Sequence, residues 1–295
     1  MPRPPTQLGG TTWDWSRPYL LGVLNVTPDS FSDGGRFLDP DTAVARAAVM
    51  VAEGVDAIDV GGESTRPGAP AVDVGEELAR VVPVVEALAR RFALPLSVDT
   101  TKASVARAAL AAGATIVNDV GTGEPASALG AVAAEYGALY VAMHARGTPA
   151  TMRSLARYGD VVAEVCDELR AFVERLRAAG VAPDRVVVDP GLGFAKTGAH
   201  SLALLADLAA VRALGYPVCV GASRKSFLVS DEAHPAGWAR DDSDAVARLG
   251  GTAAAVALAV MQGAEIVRVH DVAVMAQAAR VAHAVSLRRG GPGAR

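Results

Sequence analysis

The ionisable and amide residues of this 295-residue chain gather at one kind of place, the downstream end of short β-branched runs. Asn25 closes YLLGVLN, Asp59 stands in AIDVGGESTRPG, and Asp99 closes PLSVD. Asn118 and Asp119 lie in TIVNDV, His144 and Arg146 follow ALYVAM, and Asp189 closes RVVVD. Ser223, Arg224 and Lys225 follow PVCVGA, and Arg268, His270 and Asp271 end EIVRVHD. Asp and Asn are common in loops and at helix N-caps, which accounts for Asp271 and Asp119. It does not account for Asn118, Asp189 and Arg268, which interrupt buried runs where an unpaired polar group costs ~1–3 kcal/mol. Carboxylates with an amide suit a neutral heterocycle that has an amidine-like edge, while an Arg and a His at the last strand suit an anion such as phosphate. Neither Cys166 nor Cys219 adjoins a His, and no nucleophile–base pair is present, so covalent catalysis is disfavoured. Binding geometry and electrostatics would have to carry the reaction.

These residues need a scaffold that brings strand ends together. Candidate strands cover 19–24, 57–60, 95–98, 115–120, 138–143, 185–189, 217–221 and 265–269. Helical stretches follow at 41–53, 75–91, 102–112, 126–136, 158–179, 199–213, 243–262 and 272–286, several stopping at a glycine. The connections are too long for hairpins and suit right-handed crossovers. Eight consecutive βα units predict an α/β protein with one closed (β/α)₈ barrel; an open doubly wound sheet is the alternative. Catalytic groups then belong at the C-terminal strand ends, where the polar residues fall. Residues 1–17 read as a Pro-rich, irregular N-terminal extension, 18–287 as the barrel domain and 288–295 as a disordered tail.

Composition excludes several other classes. A net charge of −4 offers no footprint for nucleic acid or an anionic membrane. The longest uncharged run, Leu249 to Ala264, is shorter than the ~20 residues that a spanning helix needs. No secretory signal pattern opens the chain, and both cysteines read as core residues, so a cytoplasmic location is expected. GTGEPA (121–126) matches a loose dinucleotide fingerprint but comes fourth in the chain without a following ribose partner. GFAKTG has no Gly before Lys196 and is no phosphate-binding Walker loop. The five histidines show no i,i+4 pair, which disfavours a His-built zinc site.

LNVTPDSFSDGG, IDVGGESTRPGA, SVDTTK, IVNDV, MHARGTP, VDPGLGFAKT, VGASRKSF and VRVHDV stand in the order and spacing of the dihydropteroate synthase family, and the chain resembles it from about residue 20 to 285. That resemblance implies a barrel enzyme of folate biosynthesis. It would join 6-hydroxymethyl-7,8-dihydropterin diphosphate to p-aminobenzoate, with sulfonamides as competitors. It further implies a pterin pocket of Asp99, Asn118, Asp189, Gly191, Phe194, Lys225 and Arg268. A diphosphate site would comprise Asn25, Thr65, Arg66, Arg268 and His270, with Mg²⁺ held at Asn25. The p-aminobenzoate slot would comprise Phe31, Ser64, Thr65, Pro67, Ser223 and Lys225, and an Asp33–Arg66 contact would order the two loops. Asn25, Asp33, Arg66, Lys225, Arg268 and His270 are the residues this likeness makes catalytic.

The implied chemistry is dissociative: diphosphate departs, the pterin stabilises the methylene cation, and the aryl amine attacks. The chain departs from many relatives after His144, where Ala145 and Arg146 stand, and His144 itself reads as structural. The segment 228–243, with Trp238, is divergent and reads as a surface excursion. A methyltetrahydrofolate–corrinoid methyltransferase would share the carboxylates but need no diphosphate site. A catalytically silent paralogue would be expected to lose loop motifs that are complete here. The uncharged run 249–264 suits buried packing or a subunit interface, and the family likeness implies a homodimer.

Overall fold

The structure is a computed structural model that describes residues 3–27, 40–65, 68–121, 126–230, 233 and 248–290. A hairpin of β1 (Thr6–Leu8) and β2 (Thr11–Trp13) precedes the parallel strands β3 (Tyr19–Asn25), β4 (Ala57–Gly61), β5 (Leu96–Asp99), β6 (Ile116–Asp119), β7 (Leu139–Met143), β8 (Val186–Asp189), β9 (Cys219–Val220) and β10 (Ile266–Val269). Their order is β8-β7-β6-β5-β4-β3-β10-β9, and a parallel bridge from Val188 to Val218 joins the two ends. That bridge closes the barrel and excludes the open doubly wound sheet.

The helices are α1 (Pro40–Glu53), α2 (Val74–Arg91), α3 (Ala103–Ala111), α4 (Ala126–Tyr136), α5 (Val161–Ala178), α6 (Gly198–Ala206), α7 (Leu208–Arg212), α8 (Leu249–Met261) and α9 (Val272–Gly290). Local chemistry sets their limits. Asp73 caps α2 by accepting from Gly75 N, Glu76 and Glu77 occupy its positive end, and Arg90 and Arg91 its negative end. Val81, Val84, Val85 and Leu88 share one face of α2 and are buried against the strands. Asp160 caps α5 the same way, accepting from Val162 N and Ala163 N.

Three stretches differ from the sequence-based expectation. The helix expected over 199–213 is broken at Asp207, because the Gln262 side chain spans the gap. Its Oε1 accepts from Leu208 N at 3.2 Å and its Nε2 donates to Leu205 O at 2.5 Å. The stretch expected to be irregular before residue 18 holds the β1–β2 hairpin, and the reason is aromatic packing. Trp13 stacks on Tyr19 with ring centroids 4.4 Å apart, and Leu8 and Trp13 join the apolar residues that fill one end of the barrel interior. At the other terminus α9 carries the helix to Gly290, so residues 288–290 are helical rather than tail.

Side-chain alternation then decides what faces the barrel axis. Leu20, Leu24, Ile58, Val60, Leu96, Val98, Val117, Val186, Val188, Val267 and Val269 pack outward with the helices. The opposite parity holds Leu21, Ala57, Ile116, Leu139, Val141, Val187, Cys219 and Ile266 inside. Stepping by two towards the C-terminal ends, the same inner face carries Asn25, Asp59, Asp99, Asn118, Asp189 and Arg268.

Candidate active site

Register brings these side chains to one level. Asp99 pairs with Asn118 across β5 and β6, Gly61 pairs with both Asn25 and Asp99, and Asp189 pairs with Met143. Arg268 reaches across the barrel mouth. Its Nε donates to Asp59 Oδ2 at 2.6 Å and its Nη2 to Asp99 Oδ2 at 2.6 Å. Asn118 Nδ2 donates to the same Asp59 oxygen at 2.9 Å. Asp59 Oδ1 is buried and has no partner among the described residues, a spare acceptor inside a charged cluster. Asp119, by contrast, faces outward and accepts from Tyr140 Oη at 2.6 Å and Gly121 N at 2.8 Å, a structural turn role rather than a site role.

Burial perturbs Asp99, Asp189, Lys225 and Arg268. It pushes the Asp99 carboxyl up to about 7, with Arg268 opposing and Asp59 reinforcing the rise. It raises Asp189 too, against the pull of Lys225. Burial draws the Lys225 ammonium down to about 8, while Asp189 works to retain the proton. Burial also disfavours charge on Arg268, yet the two carboxylates outweigh it and hold the guanidinium above its usual range. The cluster therefore mixes acceptors and donors whose charge is set by one another.

The loop after β8 forms a second wall. Asp189 Oδ1 accepts from Gly191 N at 2.7 Å, and Phe194 N donates to Gly191 O at 3.0 Å. Gly191 has φ +65°, and a Cβ there would lie 1.9 Å from His144 O, so glycine is required. Lys225 Nζ donates to Leu192 O and lies 4.1 Å from the centre of the Phe194 ring. Ser223 Oγ accepts from His270 N at 3.2 Å and lies 3.0 Å from His270 Nδ1, so the β9 and β10 ends are tied. Arg224, at φ +60°, pairs with Asp271 through Nη2 at 2.6 Å.

The loop after β4 is anchored from below. Glu63 Oε1 accepts from Val72 N at 3.1 Å, and Lys102 Nζ donates to Glu63 and to the buried Glu77, each at 2.5 Å. Ser64 and Thr65 start this loop and are half-buried. Phe31, Asp33, Arg66, Pro67 and Trp238 lie outside the described residues.

Sequence reasoning did not assign a role to Asp59, although it shares parity with every other inner-face residue and stands two positions before Gly61. Cys219 is a buried core residue, as expected, with one neighbour that the sequence did not indicate. It lies on the inner face near Asp189, with burial first and that carboxylate second raising its pKa. No polar pattern around PVCVG signals this, because Cys219 occupies an ordinary strand position.

Among the described residues no three His, Cys, Asp or Glu side chains stand together as a metal site, and no helix is long and apolar enough to cross a membrane. The sequence profile of the pterin binding enzymes matches residues 21–270. Dihydropteroate synthase of Synechocystis sp. is 46% identical over 283 residues, covering 96% of this chain and 95% of that one. A structure of the Yersinia pestis dihydropteroate synthase with a sulfonamide drug complex superposes with a TM-score of 0.85 at 41% identity, over 95% of this chain and 98% of that chain. That of Xanthomonas albilineans dihydropteroate synthase with 4-aminobenzoic acid gives 0.85 at 41% identity, over 98% and 100%.

Proposed function

Because this chain belongs to the pterin binding enzyme family, in its dihydropteroate synthase branch, we propose that its barrel mouth joins 6-hydroxymethyl-7,8-dihydropterin diphosphate to p-aminobenzoate. The observation that carries this reading is the inner-face cluster of Asp59, Asp99, Asn118, Asp189, Lys225 and Arg268. Carboxylates and an amide offer paired acceptors to the 2-amino and N3–H edge of a pterin. Lys225 offers a donor to the ring carbonyl and N5 side. Rings lacking those donors would leave buried polar groups unpaired, which is a strong basis for rejection.

Arg268 and His270, tied to Ser223, are assigned to the diphosphate. A hard dication fits here because Asn25 supplies a neutral oxygen donor on the inner face, leaving the other positions to phosphate oxygens and water. When bound, Mg²⁺ supplies positive charge to the diphosphate oxygens, and Asn25 is the residue that would hold it. Arg268 can neutralise the leaving group with its cationic guanidinium and lie flat against the pterin with its planar face.

The reaction breaks the bond between the pterin methylene carbon and a diphosphate oxygen, and the electron pair leaves with the diphosphate. The aryl amine nitrogen donates its lone pair to that carbon and loses a proton to solvent. No strong base is required, so positioning and leaving-group stabilisation carry the rate. Ser64, Thr65, Arg66, Pro67, Phe31 and Asp33 are assigned to closing the p-aminobenzoate side. Sulfonamides would compete for that side. A homodimer is the assembly we favour, since Leu258, Val281 and Leu287 are more than half exposed on the adjacent helices α8 and α9. Sedimentation velocity at micromolar concentration should give twice the monomer mass.

Mixing the purified protein with the pterin diphosphate, p-aminobenzoate and Mg²⁺ should release diphosphate and form dihydropteroate in equal amounts. Diphosphate release without dihydropteroate, or neither product, would refute the assignment.

A further inference from the structure

Lys196 has none of the roles assigned above, yet its ammonium is buried among site residues. Its Nζ lies 2.9 Å from Phe194 O, 3.5 Å from His144 O and 2.8 Å from His144 Nδ1. The two carbonyl oxygens can only accept, so Nζ is their donor. An ammonium facing Nδ1 makes that nitrogen the acceptor and leaves the ring proton on Nε2. Nε2 then donates to Glu168 Oε2 at 2.9 Å.

Arg146 fixes the far end of this relay. Its Nε donates to both Glu168 oxygens at 3.0 and 3.2 Å, and Nη2 donates to Glu164 at 2.8 Å. Its guanidinium carbon lies 4.0 Å from the centre of the Tyr158 ring. Burial draws Lys196 down to about 7, and the His144 bond leads in holding Glu168 at about 2. Burying an ammonium to fasten a loop is costly, and an apolar side chain would fasten it with less penalty.

What the loop carries gives the relay its use. Phe194 lends its carbonyl to Lys196 and its ring to Lys225, while Leu192, two residues earlier, lends its carbonyl to Lys225. Asp189 at the root of the same loop accepts from Gly191 N. We propose that Lys196, oriented by His144 and Glu168, is a positioning residue that holds the 190–196 loop and through it Lys225 for the pterin end of the substrate. This rests on the reading of Lys225 as a pterin ligand.

Steady-state diphosphate release would be measured for the wild type, Lys196→Met, His144→Asn and His144→Leu, varying each substrate in turn. Lys196→Met should raise KM for the pterin diphosphate about tenfold, the worth of one charge-assisted hydrogen bond, with KM for p-aminobenzoate within about twofold. His144→Asn keeps an acceptor at the Nδ1 position and should stay near wild type, whereas His144→Leu should behave like Lys196→Met. A purely structural role would lower thermal stability and leave the pterin KM unchanged in Lys196→Met, which would overturn the proposal. If Lys196→Met fails to fold, the histidine pair decides: equal pterin KM values for Asn and Leu overturn it. An inactive wild type would instead strike the functional reading beneath it.

Discussion

Replacing Gly191 with alanine changes no charge, yet it should disable the pterin side of the site. The added Cβ would stand 1.9 Å from His144 O, where contacts below 3.0 Å are essentially never found. His144 cannot retreat easily, because its N–H is bonded to Asp189 O at 2.8 Å and its ring to Glu168 and Lys196. The loop must therefore move by about 1 Å, and the left-handed backbone at φ +65° adds ~1–2 kcal/mol of strain for an L residue. A displacement of about 1 Å at positioned groups is worth about 10²-fold in rate, or ~2.7 kcal/mol of transition-state stabilisation. We expect kcat/KM for the pterin diphosphate to fall by about that factor in a diphosphate-release assay. Gly54→Ala is the control, since Gly54 also has positive φ but a Cβ there meets nothing within 4 Å. It should lose stability in thermal unfolding while keeping its kinetics. A Gly191→Ala enzyme within about threefold of wild type would refute the claim that this loop positions substrate.

Three further predictions follow from the inner-face cluster. Arg268→Ala removes the donor shared by Asp59 and Asp99 and should cut turnover far more than Cys166→Ala; equal rates would remove Arg268 from the anion site. Cys219→Ala is the weaker control, because its thiol shares the inner face with Asp189. Asp59→Ala leaves Arg268 with one carboxylate fewer and should destabilise the fold by ~3 kcal/mol in urea unfolding, the scale for breaking a buried pair; an unchanged midpoint would mean that Arg268 does not depend on it. With Asp99 near 7 and Lys225 near 8, kcat/KM should rise as Asp99 ionises and fall as Lys225 loses its proton. Lys225→Arg stays charged and should lose the alkaline limb whatever its absolute rate; persistence of that limb would assign it to another group.

Much of the site was legible because strand parity leaves a mark in sequence. Asn118 and Asp189 interrupt runs of Val and Ile, and such interruptions are tolerated only where partners exist. Asp119 stood beside Asn118 with no less polarity, yet the period of two sends it outward to Tyr140. That Cys219 lies beside Asp189 was not legible, since a thiol on a strand looks apolar until its neighbours across the barrel are known. The Trp13–Tyr19 stack was equally hidden: it depends on two short strands meeting the barrel floor, not on any run long enough to show periodicity. Gln262 breaks a helix over 50 residues away in the chain, which no local pattern encodes.

In the proposed mode of binding, one inner-face cluster takes the pterin ring while Arg268 and His270 take the diphosphate. A crystal structure with Mg²⁺, the pterin diphosphate and a sulfonamide in the p-aminobenzoate slot tests it most directly. The pterin edge should lie on Asp99, Asn118 and Asp189, Lys225 at the ring carbonyl, and the diphosphate between Asn25, Arg268 and His270. A pterin ring bound away from those carboxylates, or a diphosphate that contacts neither Arg268 nor His270, would contradict it.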